Sequence, residues 1–170
     1  MGEAFKYLLP ALLALFAWWL KVSREHKTVG RAIFAEMQAL SDIVQARGYL
    51  KGLHDVATKL RVAGPFADPF PYPVSVGDHY NRVYVANLQN LGFLEEIEAG
   101  LVVRFYQLAE SVVREVTEGG VLHKGTNDPA VFDENAWILQ EALNVFKSIK
   151  ELRDQRSKLF WMRRYWIAIS

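Results

Sequence analysis

The chain has 170 residues, 51% of them hydrophobic and 13% aromatic, with 20 Lys and Arg against 19 Asp and Glu. That length suits one compact domain with an appended segment, and the apolar content excludes a disordered chain. The absence of cysteine excludes a disulfide scaffold, an Fe–S cluster, thiolate-bound zinc and a cysteine nucleophile, and is compatible with a reducing compartment.

From Tyr7 to Leu20 no residue is charged, and Lys6 and Lys21 bracket the run. Taken as Ala4 to Val22, it makes a helix of about 28 Å, close to the ~30 Å hydrocarbon core of a bilayer. Trp18 and Trp19 stand at one end, where an aromatic belt belongs, and Lys21 and Arg24 follow as headgroup partners. Pro10 falls early in the segment, where proline is tolerated near the first turn or kinks the helix. Three other readings compete. A signal peptide is opposed by Glu3, which offsets Lys6, and by Trp18-Trp19-Leu20-Lys21, which is no small-residue cleavage site. A surface-lying helix would need a polar face, and the run has none. A buried core helix remains because the uncharged run is short for a span. The expectation is a single-pass anchor with its basic flank over residues 1–27. Lys21, Arg24, Lys27 and Arg31 follow the uncharged run and only Lys6 precedes it. The positive-inside rule then puts residues 28–170 in the cytoplasm, beneath a bacterial inner membrane.

From Thr28 to about Arg61 the pattern is helical, with Ile33, Met37, Leu40 and Val44 continued by Leu50, Leu53, Ala57 and Leu60. Only Gly30 interrupts the junction with the anchor, so one long helix is allowed; Gly48 and Gly52 weaken the middle of it. Pro65, Pro69, Pro71 and Pro73 then define an extended loop over 64–77, with Phe66, Phe70 and Tyr72 between them. These aromatics either tuck the loop onto the domain or offer a docking strip to a partner. Asp78 is the expected N-cap of a short helix from His79 to about Leu91, with Gly92 as its left-handed stop. A third helix opens at Glu95 and Glu96, carries the stripe Ile97, Leu101, Phe105, Leu108, Val112 and Val116, and ends at Gly119-Gly120. Asp128-Pro129 caps the last helix, which runs to about Phe160 or beyond on two apolar rows, Phe132 to Phe146 and Ile138 to Leu152.

The expected fold is therefore all-α: an N-terminal transmembrane helix followed by an up-down bundle of about four helices, the first and last on the order of 50 Å long. Alternating directions return the C-terminus to the membrane, where Trp161, Arg163, Arg164 and Trp166 have the composition of an interface anchor. Charge supports this layout. Residues 1–31 sum to +3, residues 32–146 to −7 and residues 147–170 to +5, so the near-neutral total hides a basic–acidic–basic sandwich.

The middle of the chain carries Tyr84, Ala86 and Asn87, then Leu91-Gly92 with Leu94, then Val102-Val103 and Phe105-Tyr106. This resembles a pattern in small uncharacterised bacterial membrane-anchored all-helical proteins, over roughly residues 1 to 115. The resemblance implies an anchor followed by a helical domain and no activity. Glu95-Glu96 stands where those proteins often carry proline.

Chemical motifs are sparse. His54-Asp55, with His26 upstream, resembles the His-Asp pair of helical metal-dependent phosphohydrolases. On one continuous helix, however, His26 and His54 lie about 42 Å apart. No His-Glu-x-x-His, Gly-x-Ser-x-Gly or P-loop is present. The glutamates of the third helix, Glu95, Glu96 and Glu98 to Glu118, read as a solvated face. Lys147, Lys150, Arg153, Arg156 and Lys158, ahead of the aromatic end, suit a lipid surface or a single-stranded nucleic acid; the anchor favours lipid. The expectation is a non-enzymatic protein without cofactor or metal, for recruitment or scaffolding at the cytoplasmic face. Its partners would be the bilayer and a protein or a second copy, with Phe66, Phe70, Tyr72, Glu95 and Glu96 as candidate contacts. The alternatives are an oligomerising membrane effector, phage- or stress-related, a helical phosphohydrolase, or a basic-helix nucleic-acid binder.

Overall fold

The computed structural model describes the backbone of residues 2–169, and their side chains except those of 2–11, 23, 25–27 and 159–169. Six α-helices follow in order: α1 (Gly2–Ala46), α2 (Tyr49–Ala63), α3 (Arg82–Ala86), α4 (Glu96–Val116), α5 (Val121–Lys124) and α6 (Pro129–Ile169). A 3-10 helix, Leu88–Phe93, lies between α3 and α4. Among the described residues there is no strand, only an isolated antiparallel bridge between Phe70 and Thr126.

α1 is unbroken across the 27/28 boundary and across Gly30. The expected single helix from Thr28 to Arg61 is instead two. The break falls at Gly48, whose φ of 62° is the left-handed conformation that glycine takes at low cost. Gly52 leaves α2 intact. Its missing side chain makes room for the Tyr72 hydroxyl, which a β-carbon there would strike.

α1 and α2 walk in succession along α6 in the opposite direction. Ile33 and Met37 share one buried cluster with Val145, Phe146 and Ile149. Leu53, Val56 and Leu60 share the other with Phe132, Ala136 and Leu139. α4 spans both, giving Val102 and Phe105 to the first and Val112 and Val116 to the second. Three rods thus form the bundle: α1–α2, α4 and α6. The wide apolar face of α6 explains its central place: Phe146 alone meets both Phe34 of α1 and Phe105 of α4. Asp128 caps α6 as expected, accepting the Ala130 amide at 2.9 Å, with Pro129 in the first turn.

The return between α2 and α4 differs from the expected second helix. Most of it is the extended proline segment, tied down by Tyr72 N–H to Leu122 O (2.7 Å) and Val74 N–H to Val116 O (3.0 Å). Only Arg82–Ala86 is α-helical, and Asn81 rather than Asp78 precedes it, with no side-chain cap of its own. The cap comes from α1: Glu36 accepts the Val83 and Tyr84 amides at 2.8 and 3.0 Å and the Tyr106 hydroxyl at 2.7 Å. Gly92 lies inside the 3-10 helix without a positive φ, so it is no left-handed stop.

The expected stripe of α4 holds at Phe105, Val112 and Val116, with Leu101 and Leu108 packed beside it, and widens toward Glu98, Val102 and Tyr106. Glu98, Val102, Phe105, Tyr106, Val112 and Val116 are buried, whereas Ile97 is 66% exposed.

Candidate functional site

The first half of α1 contrasts with its packed second half. Every residue from Leu12 to Trp19 is exposed. Trp18 and Trp19 are 63% and 57% exposed, and the Trp19 ring stacks on Phe16 at 6.1 Å. Lys21 and Arg24 are exposed one turn further on. With Asn90 and Phe93 of the 3-10 helix they line a shallow groove beside α1. The four N-terminal interface candidates thus sit together on α1. Trp161, Arg163, Arg164 and Trp166 lie outside the described side chains, as do Lys6, Pro10, His26 and the whole segment from Phe160. Among the described residues no helix is long and apolar enough to cross a membrane; the expected span, 4–22, begins in the part whose side chains are not described.

Below this segment sits an ion cluster that the sequence did not single out. Glu98 is 5% exposed. It accepts Arg153 Nε at 2.8 Å and Arg156 Nη1 at 2.9 Å. Arg153 also donates to the Gly30 carbonyl at 2.7 Å and stands over the Phe34 ring at 4.6 Å, and Arg156 reaches Glu95. The cluster ties α4, α6 and α1 together where α1 emerges from the bundle. It corrects two expectations. Glu98 is not part of a solvated face, and Glu95 is engaged by Arg156 within the chain. Arg153 and Arg156 are turned inward, which removes two cations from any lipid or nucleic-acid surface on α6. A readable signal existed: Glu98 is spaced 4, 7 and 8 residues from Val102, Phe105 and Tyr106, on the buried stripe.

The other partner candidates divide. Phe66 is 98% exposed on the turn after α2, and Val62, near the end of α2, is also exposed. Phe70 is partly exposed and held by the bridge to Thr126 (3.0 Å). Tyr72 is half-buried and meets Phe132 edge-on at 6.3 Å, so it secures the loop rather than offering a contact. Glu96 is exposed in the first turn of α4.

The His54-Asp55 pair diverges. His54 faces Asp133, 3.6 Å away, which also binds Arg61, while Asp55 pairs with Lys51. Among the described residues no three His, Asp or Glu side chains are grouped to hold a metal.

Four tyrosines are held protonated above the ordinary tyrosine range: Tyr72, Tyr80, Tyr84 and Tyr106, in each case mainly through burial. The effect is largest at Tyr106, where the Glu36 carboxylate adds a hydrogen bond and a repulsive charge. Tyr84 stacks on Tyr106 at 3.9 Å. Compared with family models, curated proteins and solved structures, the chain matches none.

Proposed function

We propose that the chain is a membrane-anchored, non-enzymatic helical scaffold at the cytoplasmic face of a bacterial inner membrane. The observation that carries this reading is the uncharged helical surface from Leu12 to Trp19, exposed on every side and joined without a break to the packed half of α1. Water does not favour a helix that is apolar all round, whereas a bilayer does. Lys21 and Arg24 then stand at headgroup level. α6 runs back toward Gly30 and on to Ile169, and in this reading its aromatic-basic end is a second lipid contact. At the opposite end α2 and the following turn present Val62 and Phe66, a small apolar tip for recruiting a protein.

The chain has no native cysteine, so topology can be read from one introduced at Val62. A membrane-impermeant maleimide should label V62C only after cells are broken; labelling in intact cells would overturn the cytoplasmic placement. A photoreactive residue at Phe66 should give one discrete protein adduct in native membranes, and the same residue at exposed Lys59 should not. Identical patterns at both positions would overturn the tip as the recruiting surface.

A further inference from the structure

Between the two buried clusters lies a cavity of about 250 Å³, walled by α1, the start of α2, the proline segment, α4 and α6. Leu40, Val74, Ala109, Val112 and Leu143 are among its apolar walls. Ser41 lines it too, is 1% exposed, and its hydroxyl has no hydrogen-bond partner. Other helical hydroxyls behave differently: Thr58 and Ser148 each donate to the carbonyl four residues back. A buried donor without a partner is unfavourable, and it points here to something that completes it. Besides Ser41 the lining carries the polar side chains of Arg47, Tyr49, Tyr72, Ser75 and Tyr80, all exposed or half-buried, and its remaining walls are largely apolar. Arg47 is the one charged residue in the lining, at the exposed rim, so nothing in the wall repels a neutral or anionic polar group.

We infer that this cavity binds a small amphipathic molecule, an alkyl or single-ring body bearing one hydroxyl or carbonyl group, with Ser41 as its hydrogen-bond partner. An apolar cavity of about 150 Å³ takes benzene, so about 250 Å³ corresponds to about ten non-hydrogen atoms. Entry is past Ser75 to Gly77, the stretch of outer wall that is not helical.

The test uses the full chain in lipid nanodiscs, with methyl-labelled leucine and valine, and two probes of equal size, 4-propylphenol and butylbenzene. Both should shift the Leu40, Val74 and Val112 methyl signals saturably, the phenol about tenfold tighter because it alone satisfies Ser41. Ser41→Ala should remove that preference and leave butylbenzene binding intact. Ala109→Phe should fill the space and abolish both. Absence of saturable shifts at these methyls, or equal affinity of the native chain for the two probes, would overturn the inference without recourse to any variant.

Discussion

The two halves of α1 are equally helical and differ in where their apolar side chains go. In the second half, Ile33 and Met37 are sealed against α6 while Ala35 and Gln38 to Ala39 turn outward or to the rim, giving one stripe for one neighbour. In the first half, from Leu12 to Trp19, there is no stripe because there is no polar remainder, and every one of these residues is exposed. A periodic apolar helix is completed by one neighbour; a uniformly apolar one needs apolar surroundings on every side, which the proposed anchor would find in lipid. The ion cluster of Glu98, Arg153 and Arg156 marks the frontier between the two.

Within α1 itself, Met37→Ala should cost about 2–5 kcal/mol, whereas Leu15→Ala should leave bundle stability within about 0.5 kcal/mol. A similar cost at both positions would erase the distinction between the halves. At the frontier, Glu98→Ala removes the carboxylate shared by Arg153 and Arg156, which keep partial solvent contact and, for Arg156, the pairing with Glu95, and should destabilise the bundle by about 1–3 kcal/mol. Glu95→Ala, at the exposed end of the same cluster, should cost about 0–1 kcal/mol. Chemical denaturation followed by circular dichroism reads both pairs, and equal effects at Glu98 and Glu95 would mean that Glu98 is not buried as described.

The tyrosine group gives a smaller, pH-dependent effect in the packed half. A tyrosine whose folded pKa is raised contributes stability fully below the unfolded value of about 10 and loses it as pH rises above that. Melting temperature should therefore be flat through neutrality and fall above about pH 10. Tyr106→Phe should make that alkaline fall shallower, and should cost about 1–3 kcal/mol at neutral pH through the lost bond to Glu36. An unchanged alkaline slope in the Phe variant would remove Tyr106 as its main source.

Much of this architecture was legible in the residues. The long last helix announced itself through Asp128-Pro129 and two parallel apolar rows, and the loop through its four prolines. What was not legible depended on partners distant in sequence. α3 is held by Glu36 on another helix, so no local cap residue could reveal it. Gly52 looked like a weak point and is a fitted space for Tyr72. Glu98 was hidden by its company with Glu95 and Glu96, although its spacing from Val102 and Phe105 placed it on the buried stripe. Ser41 sits on the inner face of α1 between Met37 and Val44, and a lone serine at such a position carries no sequence signal of the cavity it faces.

The central claim, that the first half of α1 anchors the bundle in lipid, is tested most directly by alkaline carbonate extraction of membranes from cells making the full chain. The native protein should stay in the membrane pellet, and a variant with Leu15→Asp and Phe16→Asp should move to the supernatant with its helical melting transition retained. Recovery of the native chain in the carbonate supernatant would contradict the anchor.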